Sequence, residues 1–335
     1  MSFIVRLNSG ARTLKAEAGE PLVQVLRNAR LRIPSACGGR GRCGLCRVRI
    51  AQDLGPLNEL EAKKITPDER ACGCHLSCQV KVDRDLDVAL PENLVGSRDY
   101  RVRVTAVTRV THDIARVRVE LLEPTAIEFK AGQFMEFETP LRQADGAIAC
   151  RTYSLASAPL ESPCAEFMVR KVPGGLVSGW IFDQVKPGDE LKLAGPFGEF
   201  HLNPGERDLI FIAGGSGMAP FASILKEMQH RKDPRRVRYF FGAKSVRDLF
   251  YLDELAAFGK ALPDFTFIPA LSEPLPEDNW TGETGLITDV VARHFDDCAH
   301  ADAYLCGSPG MIDACIKVLT DRGLSPQNIF FDKFT

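Results

Sequence analysis

The chain has 335 residues, and its 42 Lys and Arg side chains nearly balance 44 Asp and Glu, which gives a formal net charge of −2. This balance excludes a polybasic nucleic-acid-binding protein, and the hydrophobic content of 45% excludes a disordered chain. The apolar runs are short, so no membrane span is expected. The first residues lack the basic and apolar regions of a secretory signal, which predicts a cytoplasmic protein.

Residues 1–95 are predicted to form a small domain of mixed α+β class. Residues 3–8 and 12–17 alternate apolar and polar side chains and predict a β-hairpin. A linker follows this domain, and we expect the boundary near residue 97. The other predicted elements are a helix over 21–30 and strands over 46–51, 77–83 and 86–90.

The rest of the chain predicts two domains of different class. Residues 99–203 hold short alternating strands separated by turn signals, with one helix, which is typical of an antiparallel β-barrel. Residues 205–335 alternate buried strands with helices, which is typical of a doubly wound parallel α/β sheet. In the third domain the predicted strands cover 208–213, 236–242, 264–269, 302–306 and 328–331, and the predicted helices cover 218–231, 251–258, 286–294 and 309–321.

Eleven cysteines are present, and six of them lie within residues 37–78. An odd, clustered set in a reducing compartment indicates metal ligation rather than disulfides. Cys37, Cys43 and Cys46 share one glycine-rich loop, whose backbone N–H groups could point at inorganic sulfur. Three cysteines in one loop with a distant fourth fit a [2Fe–2S] cluster better than a zinc ribbon, and structural zinc or no metal are the alternatives. The fourth ligand is left open among Cys72, Cys74 and Cys78.

Residues 30–80 resemble the plant-type ferredoxin domain, whose fold is a β-grasp. The first gap between cysteines is longer than the usual spacing of that family, as in some ferredoxin-like electron-transfer domains. In those domains Gln and Val follow the last ligand, and in this chain Gln79 and Val80 follow Cys78. The resemblance implies four ligands for a [2Fe–2S] cluster, namely Cys37, Cys43, Cys46 and Cys78.

A second set of segments lies in the middle domain. Residues 151–154 (RTYS) occupy a predicted strand, and alone they could be an ordinary strand with an exposed Arg. Residues 131–134 (AGQF) precede them, and residues 175–178 (GLVS) follow at the start of a helix, where N–H groups and the helix dipole favour a pyrophosphate. Together the three segments resemble the FAD-binding barrel of the ferredoxin–NADP reductase superfamily.

This resemblance implies a role for each part of the FAD site. Arg151 would pair with the pyrophosphate, since its planar fork suits phosphate oxygens. Tyr153 would stack on the isoalloxazine ring, and Ser154 would lie near flavin N5. The implied FAD-binding residues are Arg151, Thr152, Tyr153, Ser154, Gly175, Leu176, Val177 and Ser178.

The third domain opens with a glycine-rich loop. Residues 214–220 (GGSGMAP) follow a predicted strand and begin a helix, where glycines permit a tight turn and close approach of a phosphate. The segment is not GxGxxG, but it resembles the GGxGxAP loop of the same superfamily. Residues 242–251 (GAKSVRDLFY) resemble members that use NADH. The implied nucleotide-binding residues of the loop are Gly214, Gly215, Ser216, Gly217 and Met218.

The C-terminal segments complete the implied catalytic site. Cys306 and Gly307 end a predicted strand at the carboxyl edge of the sheet, and in the superfamily this pair lies beside the nicotinamide. Taken alone, Cys306 would be a buried structural thiol. Phe334 resembles the aromatic ending of these reductases, where it either covers a flavin face or only packs the terminus. The implied catalytic residues are Ser154, Cys306 and Phe334.

The three parts imply one electron-transfer route. NADH gives up two electrons as hydride, a [2Fe–2S] cluster takes one at a time, and FAD can do both. The domain order resembles that of oxygenase reductase components and of F subunits of sodium-pumping NADH:quinone reductases. Those subunits carry an N-terminal membrane helix that is missing here, so we expect a soluble NADH-dependent reductase that supplies an oxygenase or hydroxylase. The alternatives are a subunit of a membrane respiratory complex and a zinc-bearing regulatory module.

Overall fold

The computed structural model describes residues 1–35, 37–91, 97–143, 146 and 148–334. The described residues form three sheets, one of five strands and two of six. They build a β-grasp domain, an antiparallel barrel and a doubly wound parallel α/β domain, so the predicted fold class is confirmed. Most of the predicted first linker, residues 92–96, lies outside the described residues. Within the described ranges no helix is both long and apolar enough to cross a membrane.

The first sheet is mixed, and a short helix packs against it. Its strand order is β2-β1-β5-β3-β4, in which β1 and β2 form the predicted antiparallel hairpin. The helix α1 buries Leu22, Val25 and Leu26, which recur at helical spacing. The elements are β1 Ser2–Leu7, β2 Arg12–Glu17, α1 Leu22–Asn28, β3 Arg47–Ile50, α2 Glu59–Ala62, α3 Pro67–Ala71, β4 Cys74–Leu76 and β5 Leu86–Ala89.

The predicted strand over 77–83 is wrong, because β4 ends at Leu76. The backbone N–H and the hydroxyl of Ser77 still donate to the Cys46 carbonyl, at 2.9 and 3.0 Å. The chain then turns, because the Gln79 N–H donates back to the Leu76 carbonyl at 2.7 Å. The alternating burial of Val80 and Val82 reflects packing in the domain core rather than a place in the sheet. This turn brings Cys78 back toward the glycine-rich loop.

The second sheet curls into a barrel. Its order is β10-β7-β6-β11-β8-β9, and an isolated bridge between Leu155 and Phe167 joins the end of β9 to β10. Alternate residues of β6 are buried, as expected for strands with one face on a core. The elements are β6 Arg98–Arg109, β7 Ile114–Glu123, β8 Phe134–Arg142, β9 Ile148–Ser154, β10 Cys164–Arg170, α4 Leu176–Asp183 and β11 Glu190–Phe197.

The third sheet is parallel throughout, with the order β15-β14-β13-β12-β16-β17. Its central strands are buried almost continuously because helices cover both faces. The elements are β12 Asp208–Gly214, α5 Met218–Arg231, β13 Val237–Ala243, α6 Leu252–Ala261, β14 Phe265–Leu271, β15 Glu283–Thr284, α7 Ile287–His294, β16 Ala301–Gly307, α8 Pro309–Asp321 and β17 Ile329–Lys333.

The barrel shares a hydrophobic core with each of its neighbours. Phe134, Ala194 and Phe197 of the barrel pack in the same cluster as the β-grasp core. Ala156 and Phe200, near the opposite junction, pack with α5 and with strands of the parallel sheet. The barrel therefore stands between the cysteine loop and the glycine-rich loop of the third domain.

Candidate functional site

The loop after α1 brings four cysteine thiols together as two pairs. The Sγ of Cys43 lies 3.4 Å from that of Cys37, and the thiols of Cys46 and Cys78 also share a hydrogen bond. The first contact lowers the pKa of Cys37 and raises that of Cys43, because the two sulfurs share one proton. These are the four cysteines that the sequence predicts as ligands.

The loop backbone directs N–H groups at these sulfurs. The Cys37 thiol accepts three backbone hydrogen bonds, and the Cys78 thiol accepts from the backbone of Gly41 and, at 3.4 Å, from the amide of Gln79. Two pairs of sulfurs with backbone donors suit a cluster with two irons. The donor set therefore fits a [2Fe–2S] cluster.

Among the described residues no contact joins either of the two other candidates for the fourth ligand to the loop thiols. Cys74 is buried in the β-grasp core, and burial raises the pKa of its thiol. Cys72 is exposed at the end of α3. The contact between Cys46 and Cys78 therefore favours Cys78 as the fourth ligand, and this assignment stays a prediction.

The predicted flavin segment lies at the edge of the cysteine loop. The Arg151 guanidinium donates to the Cys150 carbonyl at 2.7 Å, and no carboxylate pairs with it in the described parts of the chain. Its Nη1 would lie 3.1 Å from a Cβ placed on Gly38, which follows the ligand candidate Cys37. A guanidinium without a carboxylate partner is suited to bind a phosphate.

Two further parts of the predicted FAD site surround Arg151. The ring of Tyr153 meets Phe137 edge-on, with centroids 5.1 Å apart, and burial raises the pKa of its phenol. The helix α4 packs against β9, and its first turn offers backbone N–H groups without intrahelical partners. The hydroxyl of Ser178 accepts from the Val172 N–H at 3.0 Å and so fixes the loop before α4. Val177 is buried in the barrel core, so only its backbone could face a ligand.

The glycine-rich loop packs directly on the end of β16. A Cβ on Gly217 would overlap the carbonyl oxygen of Cys306, although the φ of Gly217 is an ordinary −62°. Gly215 has φ +56°, which glycine adopts without strain. Gly214 and Gly307 face each other, since a Cβ on Gly307 would lie 3.6 Å from the Gly214 nitrogen. Residues 214–217 therefore leave room for a ligand to approach the start of α5 closely.

The predicted catalytic residues lie where the barrel meets the parallel sheet. Cys306 is fully buried, and burial raises the pKa of its thiol well above the ordinary value. The backbone N–H of Phe334 donates to the Gly307 carbonyl at 2.8 Å, and its ring packs on the core that contains Cys306. Ser154 is buried at the end of β9. The catalytic roles of these three residues stay predictions. The packing of Phe334 is compatible both with covering a flavin face and with only packing the terminus.

Two residues near this site were missed by the sequence analysis. Arg170 ends β10 of the barrel, and its Nη1 would lie 3.3 Å from a Cβ on Gly215. It is held by Asp113, whose carboxylate lies 2.7 Å from its Nε. Asp332 pairs in register with Cys306, and burial raises the pKa of its carboxyl to about 6. Neither residue belongs to a local motif, so only the third dimension reveals them.

Three known family domains match successive parts of the chain. Residues 5–83 match the 2Fe-2S iron-sulfur cluster binding domain, and residues 101–202 match the oxidoreductase FAD-binding domain. Residues 211–317 match the oxidoreductase NAD-binding domain. The three expected cofactors, a [2Fe–2S] cluster, FAD and NADH, are therefore those of the domains found.

Relatives are similar to the chain over nearly its whole length. The F subunit of the Na(+)-translocating NADH-quinone reductase of Klebsiella pneumoniae is 32% identical over 99% of this chain and 91% of its own. Its counterpart in Idiomarina loihiensis is 34% identical over 95% of this chain and 88% of its own.

Solved structures with the same three-domain fold include reductases of oxygenase systems. The Amycolatopsis cytochrome P450 reductase GcoB has a TM-score of 0.78 at 30% identity, covering 99% of each chain. The ferredoxin reductase in carbazole 1,9a-dioxygenase shares the fold with a TM-score of 0.74 at 24% identity, over 100% of this chain and 99% of its own. The chain thus belongs to the family of NADH-dependent flavin and [2Fe–2S] reductases of the ferredoxin–NADP reductase superfamily that includes the F subunits of Na(+)-translocating NADH-quinone reductases.

Proposed function

We propose that this reductase supplies single electrons from NADH to an oxygenase or hydroxylase in the cytoplasm. The observation that carries the proposal is the contact between the flavin segment and the cysteine loop, where Arg151 adjoins Gly38. Groups bound on either side of this contact would be neighbours, so electrons would leave through the β-grasp domain. In this proposal the cluster, FAD and nucleotide domains cover residues 1–95, 99–203 and 205–335.

The proposed site residues divide the work of binding and positioning. When bound, FAD accepts hydride from NADH and releases electrons one at a time to the [2Fe–2S] cluster. Arg151 and the first turn of α4 would hold the pyrophosphate, and Tyr153 would shield the flavin ring from water. Residues 214–218 seat the nucleotide phosphates.

Three residues border the proposed place of hydride transfer. The thiol of Cys306 stays neutral because it is buried, so it leaves no charge beside the nicotinamide. Ser154 is buried at the end of β9, and the Phe334 ring packs on the core that contains Cys306. With FAD and nicotinamide bound, these side chains would keep water from the reacting atoms, which would protect the hydride.

The nature of the acceptor rests on the similarity to reductases that serve oxygenase systems. GcoB is a cytochrome P450 reductase, and the two chains cover 99% of each other. A second candidate is an NADH-oxidising subunit of a membrane respiratory assembly, which the 32–34% identity to F subunits favours. Cell fractionation separates the two, since only the second requires the protein to sediment with membranes.

Replacement of the fourth ligand tests electron export. We expect Cys78→Ser to lose the visible absorption of the cluster and the reduction of cytochrome b5, while FAD and NADH:ferricyanide activity are retained, because the flavin site does not include this thiol. Cys74→Ser is the matched control. It should keep the cluster absorption, the reduction of cytochrome b5, the bound FAD and the NADH:ferricyanide activity. A Cys78→Ser protein that still reduces cytochrome b5 at the wild-type rate would refute export through this cluster.

A further inference from the structure

The outer side of the cysteine loop carries exposed cations. Arg40 and Arg42 lie between the ligand candidates Cys37 and Cys43, and both side chains are exposed. Neither guanidinium has a hydrogen-bond or ion-pair partner among the residues described. Their backbone N–H groups point inward to the Cys37 thiol, so the side chains are left on the outside.

The short helix α2 adds an apolar residue and a third cation to this side. A Cβ on Gly41 would lie 3.1 Å from the Cβ of Leu60, and one on Gly44 would lie 3.4 Å from the Cβ of Lys64. The side chains of Leu60 and Lys64 therefore pack against the cysteine loop. Leu60 is 39% exposed, so it offers apolar surface beside the cations of the loop.

Hydrogen bonds of Asn58 and Glu61 fix the position of α2. Asn58 caps its N-terminus through a reciprocal capping box with Glu61. The buried Glu61 carboxylate also accepts from the Leu76 N–H at 3.0 Å and contacts His75 at 3.3 Å. The helix is thus anchored to β4, and its exposed side is held over the cysteine loop.

The charge of this surface contrasts with that of the whole chain. The protein has a net charge of −2, yet Arg40, Arg42 and Lys64 gather at one loop. Arg47, which is also near the loop, differs because Glu69 pairs with it at 3.1 Å and it donates to the Lys64 carbonyl. Glu59 at the start of α2 is exposed and offsets part of the positive charge.

We propose that the cluster rim, defined as Arg40, Arg42, Leu60 and Lys64, docks an acceptor protein that presents an acidic patch around its redox centre. The inference rests on the proposed function, because it requires electrons to leave through the cluster. Cys43 is the partly exposed ligand candidate of the loop, and Arg42 precedes it directly, so a partner on the rim has a short path to the cluster. Leu60 supplies an apolar centre and the cations supply a charged border, as in typical interfaces.

Two haem proteins of opposite surface charge test the rim. Cytochrome b5 is acidic around its haem edge and cytochrome c is basic, and each is reduced by the holoenzyme with NADH at several ionic strengths. We expect faster reduction of cytochrome b5 at low salt and a fall of its rate as salt rises, because rim charges steer association. Arg42→Glu should lower the cytochrome b5 rate at low salt by about tenfold and raise the cytochrome c rate.

Arg84→Glu is the matched control, with the same change of charge in the same domain. Arg84 precedes β5, whose far end pairs antiparallel with β3, so it lies at the end of the sheet opposite the cysteine loop. It should leave both rates unchanged. Equal effects of the two variants, or a cytochrome b5 rate that does not depend on salt, would overturn the proposal.

A measurement on the same preparations separates this proposal from the proposed function. Rapid mixing with NADH, followed by the visible absorption of the cluster, reports internal reduction without any protein acceptor. If the cluster of the wild-type protein is not reduced, the proposed function fails. If it is reduced equally in wild type and Arg42→Glu while the two haem proteins show no charge preference, only the acidic partner is refuted.

Discussion

Gly217 shows how a missing side chain shapes the nucleotide site. Its φ of −62° is open to any residue, so the requirement for glycine is one of space. A Cβ there would overlap the backbone carbonyl of Cys306, which cannot move without displacing β16. The same contact joins the glycine-rich loop to the predicted catalytic cysteine.

Gly217→Ala is therefore expected to weaken NADH binding. Overpacking of this kind costs about 1–3 kcal/mol, so the KM for NADH should rise by about fivefold to a hundredfold while the cluster spectrum stays unchanged. Gly310→Ala in α8 is the control, because a Cβ there meets nothing within 4 Å. Steady-state kinetics with ferricyanide measure both. An unchanged KM for NADH in Gly217→Ala would contradict the close packing of the loop.

The arrangement of β8 against the segment after α1 decides how the β-grasp domain sits on the barrel. Glu136 of β8 is buried and accepts from the Ser35 N–H at 3.1 Å, and Arg27 lies 3.4 Å from the same oxygen. Burial raises the pKa of Glu136, and Arg27 offsets this only in part. Arg32 bonds Asp99 at 2.6 Å in the same interface. A buried pair of this kind fixes geometry more than it adds stability.

Loss of the Glu136 carboxylate should loosen this interface. Glu136→Ala removes the acceptor of the Ser35 N–H and the ion-pair partner of Arg27, which still donates to the Ile33 carbonyl, at a cost of about 1–3 kcal/mol. Glu136→Gln keeps an acceptor for Ser35 and should cost less. Rapid mixing with NADH should show slower cluster reduction in the Ala variant, with flavin reduction unchanged. Equal rates of cluster reduction in both variants and wild type would show that Glu136 does not position the domain.

Elements with strong local signals could be predicted from the sequence, and elements shaped by distant contacts could not. Helix α5 has the predicted bounds of 218–231, since a glycine turn marks its start and apolar periodicity follows. The error at 77–83 arose because the carbonyls of Val80 and Val82 accept from the distant N–H groups of Leu22 and Gly19 rather than from a neighbouring strand of the sheet. Arg170 and Glu136 were missed for the same reason. Their partners are far away in the sequence.

In the whole molecule the barrel lies between the other two domains and contacts both of them. The barrel contributes Arg151 beside the cysteine loop and Arg170 beside the glycine-rich loop, so both cofactor junctions depend on it. Each junction also has a shared hydrophobic core, which resists separation of the domains. This arrangement accounts for a single route from NADH to an exposed loop at the other end of the chain.

Anaerobic titration of the purified protein with NADH, followed by visible absorption and low-temperature EPR, tests this route most directly. The account predicts loss of the flavin absorption followed by a rhombic EPR signal of the one-electron-reduced [2Fe–2S] cluster. Loss of the flavin absorption with no cluster signal would contradict it, because the β-grasp domain would then hold no group that the flavin can reduce.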